Sequence, residues 1–514
     1  MKRLPWLWAT VAVLGVYYFI RYAIAPFSYD DGVYFAISSV QDHYGVRVFD
    51  FHKLLHIFNV NAWSPRISNV CVPLLMIVPM WVKGLVGATA QIITLTIGAK
   101  FAGLTTRNSM MLCSLMAFLY IVALPWYDPM MACAYLTNYT LTTMMLMILI
   151  AAFLRAKPLP WWSVAIFTLF YSFWHEGYTA FTLCAFGLVL VVYRRMWRAD
   201  RWAIVASLAI AMTAFALMPA THMRMNVCNY SISRPELILQ ALGIEIFLAV
   251  ACICLVSKNL RKKVASPLLI VLIGIALASY CQHWILRIAA RSLHPGLVCS
   301  TFGIIYIIIH ITPHDYFNSR RWHVTAFAIY TFLLIHFAFV IHYDKILLRE
   351  SVAIEKEFVK HPMSTLFMPL ESTRNAPLIT LRHTFGNTWH PGYFTRLTMA
   401  LQHFEEAETL DTMYVRVVPA ELKNYRYGMG QRINSNCEVY SYRGRYVARL
   451  NDIHPSGPVG EGISEVRFSN GYKYGRRYYF EKFVGADSIT YAWICPNGSW
   501  LEDICGPITE LHLY

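Results

Sequence analysis

Two adjacent carboxylates, Asp30 and Asp31, are the residues of this sequence best placed for acid–base chemistry. They follow a long apolar run, residues 6–25, so they are expected where a membrane span meets water. A carboxylate at that boundary stays hydrated and ionised, yet it lies close to the reactive end of a lipid-linked substrate. It could act as a general base towards a sugar hydroxyl that attacks a glycosyl phosphate. Two solvated acids that end a helix would leave the same pattern.

A second set of residues is basic and suits the binding of a phosphate group. Arg66 follows in the same connection as the two aspartates, and Arg287, Arg291 and His294 lie between two later apolar runs. An arginine offers a permanent, delocalised charge to phosphate oxygens. A basic group also stabilises a leaving phosphate as its negative charge develops. The competing interpretation is that these side chains extend to lipid headgroups without binding a substrate.

Three further polar residues interrupt strongly apolar sequence. Asn138 enters one apolar run, and His175 and Glu176 separate two others that are unusually short. An acid near hydrocarbon is costly, about 2.5–3.5 kcal/mol at the centre of a span, so Glu176 is more informative than a carboxylate in a loop. These residues are expected to line a cavity and bind substrate. The alternative is a buried His175–Glu176 hydrogen bond that pins two helices.

Metal-binding and nucleotide-binding motifs are poorly represented. His52 and His56 are four residues apart on an expected helix, but the sequence shows no third ligand beside them. No P-loop, dinucleotide-binding glycine motif, zinc spacing or Gly-x-Ser-x-Gly elbow is present. We therefore predict no metal ligands and no nucleotide-driven transport or serine hydrolysis, and dependence on a divalent cation stays open.

The composition indicates what must hold these residues in place. Of 514 residues, 57% are hydrophobic and 14% charged, whereas soluble domains carry about 25% charged residues. Eleven apolar runs, most of about 16 to 22 residues, approach the length needed to cross a bilayer. They are residues 6–25, 83–104, 109–126, 139–154, 161–174, 178–193, 202–219, 237–256, 268–286, 296–311 and 324–341. The sequence therefore predicts an all-α polytopic membrane domain with about eleven transmembrane helices.

The net charge of +15 is explained by where the basic residues lie. Residues 1–343 hold 25 Lys and Arg and 10 Asp and Glu, while residues 344–514 hold 19 of each. Alternate connections collect 16 of those basic residues and two acids, and the other half of the membrane part holds nine basic and eight acidic residues. This segregation follows the positive-inside rule. It predicts a cytoplasmic N-terminus, and eleven spans then place the C-terminus outside, in the periplasm of a Gram-negative cell.

Three regions follow from these patterns. Residues 1–343 form the multi-pass membrane domain, which includes a long outer connection at 26–82 whose second half is expected to be an interfacial helix. Residues 344–410 are expected to be a helical connector. Residues 411–514 are expected to form a small, mainly antiparallel β domain, which makes the exported part α+β.

The β domain is predicted from alternating residues and turn signals. The expected strands are residues 413–418, 439–442, 446–450, 465–468, 472–480 and 489–494. Asn470-Gly471 is a strong hairpin signal. In an oxidising compartment, Cys495 and Cys505 either form a disulfide or stay unbridged, and the sequence favours neither. The disulfide would leave Cys437 unpaired.

The arrangement resembles the GT-C superfamily of integral-membrane glycosyltransferases. It is similar to bacterial members that use polyprenyl-phosphate sugars and to multi-pass relatives of the O-antigen glucosyltransferases. The resemblance covers the layout of residues 1–343 and four short segments. These are Ser28-Tyr29-Asp30-Asp31-Gly32, Pro65-Arg66, Thr137-Asn138-Tyr139 and His175-Glu176-Gly177. It implies a catalytic acid in the first outer loop, which here is Asp30 or Asp31.

The resemblance also implies a reaction and its partners. The enzyme would be an inverting-type transferase of the bacterial inner membrane, acting on its periplasmic face. It would move a sugar from a polyprenyl-phosphate carrier to an envelope glycan or glycolipid, with no role for nucleic acid. Two other classes fit the same composition: a transporter or flippase of lipid-linked glycans, and a non-catalytic envelope scaffold.

Overall fold

The chain is mostly helical, with a smaller sheet region near its C-terminus. The computed structural model describes residues 6–25, 39–41, 47–49, 66–107, 109–123, 131–218, 234–286, 290–360, 365–369, 416–433, 438–442, 445–452, 459–471, 473–496 and 508–514. The helices are α1 (Trp6–Ile24), α2 (Ile67–Met76), α3 (Met80–Ala102), α4 (Met110–Ala123), α5 (Cys133–Leu154), α6 (Trp161–Trp174), α7 (Glu176–Val192), α8 (Ala199–Leu217), α9 (Arg234–Val256), α10 (Lys258–Val264), α11 (Pro267–Leu286), α12 (His294–Ile311) and α13 (Arg320–Lys360).

The apolar pattern located eleven of these thirteen helices, since each of the eleven runs overlaps a different one; α2 and α10 lie outside the runs. Within the described residues, seven helices are long and apolar enough to cross a bilayer, or eight if α9 and α10, bent by 113°, count as one span. Helices α4 and α6 have 14 residues and α7 has 17. At 1.5 Å per residue they fall short of the ~30 Å hydrocarbon core. The protein is thus a helical multi-pass membrane protein, and the count of eleven spans stays a prediction.

Helices α1 and α13 pack side by side in the same direction. Near the start of each, Thr10 Oγ1 lies 2.6 Å from the hydroxyl of Tyr330. Further along each, Arg21 Nε donates to the carboxylate of Asp344 at 2.7 Å. Because both contacts advance together along the two helices, the helices are parallel. The later part of α13 therefore leaves the bundle at the end where α1 finishes.

Two glycines let aromatic rings enter the grooves between helices. A Cβ on Gly98 of α3 would lie 2.2 Å from the ring of Phe302 on α12, and a Cβ on Gly303 would lie 2.2 Å from the ring of Phe247 on α9. Both distances are well below van der Waals contact, so no larger residue fits without moving the ring. Close approach at small residues is the usual way in which helices pack inside membranes.

Two buried arginines cap the ends of α12 and α5 at one end of the bundle. Arg107 Nη1 donates to the carbonyls of Ile309 and Thr312 at the end of α12, at 2.6 and 3.0 Å. Arg201 Nε donates to the carbonyl of Phe153 at the end of α5, at 2.8 Å. These contacts satisfy carbonyls that a helix leaves unbonded and oppose its negative dipole end. We call this end, marked by Arg107 and Arg201, the basic end; it belongs to the connections that the charge pattern predicts to be cytoplasmic.

The C-terminal part contains a seven-stranded antiparallel sheet with strand order β11-β8-β9-β10-β7-β6-β5. The strands are β1 (Ser39–Gln41), β2 (Arg47–Phe49), β3 (Thr365–Met368), β4 (Arg416–Pro419), β5 (Gln431–Arg432), β6 (Val439–Tyr442), β7 (Arg445–Arg449), β8 (Val459–Phe468), β9 (Lys473–Val484), β10 (Thr490–Pro496) and β11 (Ile508–Leu513). Every predicted strand overlaps an observed one. At the predicted hairpin, Gly471 has φ of 82° and its N–H donates to the carbonyl of Phe468 at 2.8 Å.

Two strand pairs lie apart from this sheet. β1 and β2 are antiparallel in the long first connection, and β3 pairs in parallel with β4. β3 lies inside the segment predicted to be a helical connector, of which α13 forms the first part up to Lys360. Leu366 of β3 and Val418 of β4 are buried in one core together with Tyr425 and Trp493, so this pair covers one face of the sheet.

One carboxylate fixes the turn that joins β9 and β10. Asp487 accepts hydrogen bonds from the hydroxyl of Tyr491 at 2.6 Å and from the N–H groups of Ile489 and Tyr427 at 3.1 Å each. The hydrogen bond from Tyr491 holds the pKa of the Asp487 carboxyl below its usual value. The folded state therefore favours the ionised form.

We expect Asp487→Asn to loosen this turn in a pH-dependent way. A carboxyl whose pKa is lower in the folded state stabilises that state above its unfolded pKa of about 3.9, and the contribution is lost as the pH falls through the folded pKa. Amide hydrogen exchange in residues 485–491 of the full-length protein should be faster in the variant at pH 7, and the difference should shrink below about pH 4. Asp452→Asn, at an exposed site of the same region, is the control; equal exchange in Asp487→Asn and wild type at pH 7 would contradict the assignment.

Candidate functional site

Three helices, α2, α7 and α12, begin beside the first half of α5, towards the end of the bundle opposite the basic end. Arg66 precedes α2 and contacts both Glu176, the first residue of α7, and Asn138 near the start of α5. His294, the first residue of α12, contacts Thr143 of α5. Helix N-termini carry partial positive charge and present unbonded N–H groups. This end, which we call the site end, therefore suits a negatively charged ligand.

A sharp reversal at His175 brings Glu176 to the site end. The backbone of His175 is extended, with φ of −158° and ψ of 114°, between the end of α6 and the start of α7. The two helices fold back on each other, since the hydroxyl of Tyr171 lies 2.7 Å from Thr182 Oγ1 and Thr179 Oγ1 donates to the carbonyl of Ser172 at 2.9 Å. The interruption that the sequence showed between two short apolar runs is thus a one-residue turn between antiparallel helices.

Arg66 and Glu176 form the central ion pair of the site. Arg66 donates to both carboxylate oxygens of Glu176, one bond from Nε and one from Nη2. Its Nη1 lies 3.5 Å from Oδ1 of Asn138. The Arg66 residue is 6% exposed, whereas the side chain of Glu176 is 26% exposed. The arginine side of the pair is therefore buried, and the carboxylate side is partly accessible to solvent.

The alternative based on a His175–Glu176 hydrogen bond is wrong. Nδ1 of His175 lies 3.9 Å from Oε2 of Glu176, which is too far for a hydrogen bond. The two residues are neighbours in sequence, but the start of α7 directs the carboxylate towards Arg66 instead. Glu176 joins α7 to the residue that opens α2, not α6 to α7.

Asn138 joins the starts of α2 and α5. Its Oδ1 accepts from Ser68 Oγ at 2.6 Å, and its Nδ2 donates to the carbonyl of Ala134 at 2.8 Å and lies 3.3 Å from Oδ1 of Asn69. The surrounding turn, Leu136–Leu141, is π-helical. A π-helical turn inserts an extra residue into the hydrogen-bond ladder, and such turns occur frequently at functional sites. Here the turn places a buried amide beside the guanidinium of Arg66.

His175 lies between two tyrosines and is buried. Its ring centroid is 5.5 Å from that of Tyr139 and 5.0 Å from that of Tyr178. The neighbouring Trp174 donates from Nε1 to the carbonyl of Thr137 at 2.8 Å, which ties the end of α6 to α5. His175 is thus held by aromatic packing next to the ion pair.

A second polar group continues the site along α5. Thr143 Oγ1 lies 2.8 Å from Nδ1 of His294 and 3.0 Å from the hydroxyl of Tyr178, which in turn lies 3.4 Å from Nδ1 of His294. Within the described part of the chain, Nε2 of His294 is buried and has no hydrogen-bond partner. An unsatisfied buried polar atom is costly, so this nitrogen is available to a ligand group.

The described structure covers only part of the predicted site. Arg66, Asn138, His175 and Glu176 lie in one connected group, and His294 adjoins it through Tyr178. Asp30, Asp31 and Arg287 lie outside the described residues, as do His52, His56, Cys437 and Cys505, and the side chains of Arg291 and Cys495 are not described either. The structure therefore does not place the predicted catalytic pair, and it leaves the alternatives for Cys495 and Cys505 open.

Sequence reasoning missed four members of this site: Ser68, Asn69, Thr143 and Tyr178. The available signal was density of polar side chains at the start of an apolar run. Five of the seven residues from 137 to 143 are Thr or Asn, which is unusual where a helix enters hydrocarbon. Ser68 and Asn69 lie two and three residues after Arg66.

The described residues include no group of three His, Cys, Asp or Glu side chains that could hold a metal ion. The polar groups of the site instead suit an oxyanion and hydroxyl-bearing ligands. No family model, curated protein or solved structure matches this chain. The functional interpretation therefore depends on the geometry of the site and on the resemblance noted in the sequence.

Proposed function

We propose that this protein is a GT-C-type membrane glycosyltransferase, which moves a sugar from a polyprenyl-phosphate carrier to an envelope glycan or glycolipid. The observation that carries the proposal is the position of Arg66. It is a buried guanidinium oriented by Glu176 and Asn138 at the point where α2 and α7 begin beside α5. Arginine and helix N-termini are both suited to phosphate oxygens.

The reaction requires one bond to form and one to break. The acceptor hydroxyl oxygen attacks the anomeric carbon of the sugar, and the bond between that carbon and the phosphate oxygen breaks, with inversion. Asp30 or Asp31 takes the hydroxyl proton. The polyprenyl phosphate leaves with the bonding electrons, and Arg66, with Arg287 and Arg291, stabilises its added negative charge. Asn138, His175, Glu176 and His294 orient these groups and the sugar.

The same proposal places the site on the periplasmic face of a bacterial inner membrane. The basic end, with Arg107 and Arg201, would then face the cytoplasm. The parallel packing of α1 and α13 supports an odd number of spans, because it sends the later part of α13 out at the end where α1 finishes. Eleven spans and an exported β-rich region agree with this arrangement.

We expect Arg66→Ala to weaken donor binding by about 10- to 100-fold, because hydrogen bonds to a charged group contribute about 1.5–3 kcal/mol. The measurement is calorimetric binding of a short-chain polyprenyl phosphate to the purified full-length protein. Arg66→Lys keeps the charge but loses the two-pronged geometry, so its affinity should be intermediate.

Arg107→Ala is the matched control, because Arg107 is equally buried but lies at the basic end. It should destabilise the protein without selectively weakening polyprenyl phosphate binding. If folded Arg66→Ala bound this lipid as tightly as wild type, or if Arg107→Ala lost binding to the same extent, Arg66 would not be the phosphate-binding residue.

A further inference from the structure

The short helix α10, between α9 and α11, carries a dense cluster of basic residues. Four of its seven residues are basic, and all four are exposed. We call these four residues the α10 cluster: Lys258, Arg261, Lys262 and Lys263. No Asp or Glu occurs between residues 246 and 314, and within the described part of the chain none of the four forms an ion pair. Their charge is therefore available to a partner outside the chain.

The direction of α9 places α10 at the basic end of the bundle. Ile244 of α9 lies beside Gly296 of α12, and Phe247 lies beside Gly303 further along, so the two helices run in the same direction. Helix α12 ends at the basic end, where Arg107 caps its last carbonyls, and α9 therefore ends there as well. The chain then bends by 113° into α10. Because α9 runs alongside α12, which is long enough to cross a bilayer, α10 lies across the membrane normal, at the surface.

Apolar residues and one tyrosine hold the other side of α10 against the bundle. Leu260 is half-buried and Val264 is fully buried, and their spacing of four residues places them on one face of the helix. The hydroxyl of Tyr306 on α12 donates to the carbonyl of Val264 at 3.2 Å and lies 2.9 Å from Oγ of Ser266. A helix with an apolar face inward and basic residues outward is typical of segments at the boundary between lipid and water.

Exposed apolar side chains adjoin the α10 cluster on the last turn of α9. Ile253 and Val256 are 64% and 78% exposed and lie three residues apart, directly before α10. A soluble anion could meet the basic residues, but it would not cover these apolar ones. A phospholipid matches both, because its acyl chains contact the apolar side chains while its phosphate group lies at the level of the basic ones.

We propose that the α10 cluster is a binding site for the headgroup of an anionic phospholipid. The phosphate oxygens of the headgroup accept charge-assisted hydrogen bonds from the lysine and arginine side chains. A basic cluster on an amphipathic helix beside a span attracts anionic lipid by about fivefold per basic residue. A zwitterionic lipid carries a cation that offsets its phosphate, so it binds more weakly. This binding does not depend on the proposed glycosyl transfer, because the α10 cluster lies at the basic end and not at the site end.

The test is native mass spectrometry of the purified full-length protein, titrated with phosphatidylglycerol or with phosphatidylcholine of the same acyl chains. Wild type should bind phosphatidylglycerol at least about tenfold more tightly than phosphatidylcholine. Replacing all four residues of the α10 cluster by glutamine should weaken phosphatidylglycerol binding about 10- to 100-fold, since one headgroup contacts two or three of them. The matched control removes the same charge from four other exposed residues at the basic end: Lys100→Gln, Lys157→Gln, Arg320→Gln and Arg321→Gln. It should keep the preference for phosphatidylglycerol.

Equal affinity of wild type for the two lipids would overturn the proposal, as would an undiminished preference in the α10 glutamine variant. An equal loss in the control variant would also overturn it, because general charge and not α10 would then account for the binding. Size-exclusion chromatography and thermal unfolding show whether each variant is folded. Two measurements need wild type alone. Raising ammonium acetate from about 0.1 to about 1 M should weaken phosphatidylglycerol binding by screening the exposed charges, and inorganic phosphate at the lipid concentration should not displace the lipid. Binding that does not change with salt, or displacement by phosphate, would contradict a lipid headgroup site.

Discussion

Replacing both Asp30 and Asp31 by asparagine is expected to lower glycosyl transfer by about 10²–10⁴-fold, which is the usual contribution of a general base. Asparagine is nearly isosteric with aspartate but cannot accept the proton of the acceptor hydroxyl. The single variants should differ from each other, since one carboxylate takes the proton. The measurement is the profile of envelope glycans and lipid-linked sugars by mass spectrometry, in a deletion strain that carries each variant.

Asp42→Asn is the control for this experiment, because Asp42 lies in the same outer connection but is not part of the Asp pair. It should restore the wild-type profile. Immunoblotting of membranes shows whether each variant is present at the wild-type level. A normal glycan profile in the double variant would remove the proposed base from the mechanism.

The second large effect is expected at the ion pair between α1 and α13. Arg21 and Asp344 are both buried, with the Nε to carboxylate oxygen distance at 2.7 Å. Asp344→Ala would leave Arg21 charged and without its carboxylate in a buried position. We expect a loss of about 3–5 kcal/mol in the free energy of unfolding, the typical cost of breaking such a pair. Thermal unfolding of the purified protein in detergent should show a clear decrease in Tm.

A double variant separates the charge effect from the loss of packing. Arg21→Leu combined with Asp344→Leu removes both charges and fills the space with apolar groups, so it should recover much of the lost stability. Arg21→Leu alone should be unstable as well, because Asp344 then lacks its cation. Asp344→Ala as stable as wild type, or a double variant no more stable than the two single ones, would mean that the pair does not hold these helices together.

The helices could be predicted because the hydrophobic pattern is local. The run at residues 161–174 coincides with α6, and the run at 178–193 lies within two residues of α7. The strand at 439–442 was predicted with both its ends. The observed ends of helices differ from the predicted ones where a helix continues into polar sequence. Helix α13, for example, extends through charged residues to Lys360. Strands β3 and β11 were missed because they depend on partners distant in sequence.

The site was predicted as a set of polar residues at one boundary, but its pairing was not. Glu176 bonds to Arg66, which is 110 residues away, whereas the one partner that the sequence suggested for it, as an alternative, was its neighbour His175. Which partner Glu176 meets depends on the direction in which α7 begins after the turn at His175. The π-helical turn around Asn138 has no simple sequence signature, and the contacts of Asn138 with Ser68 and Asn69 join residues about 70 positions apart. Local patterns located the residues, and tertiary packing decided their bonds.

The most direct test of the central claim is transfer by the purified full-length protein in liposomes. The liposomes would contain a polyprenyl-phosphate sugar with a radiolabelled sugar and an acceptor glycolipid extracted from the deletion strain. We predict that label appears on the acceptor, with release of polyprenyl phosphate, and that the Asp30→Asn, Asp31→Asn double variant shows no such transfer. Labelled lipid that crosses the bilayer without exchange of the glycosidic bond would contradict the account and indicate a transporter.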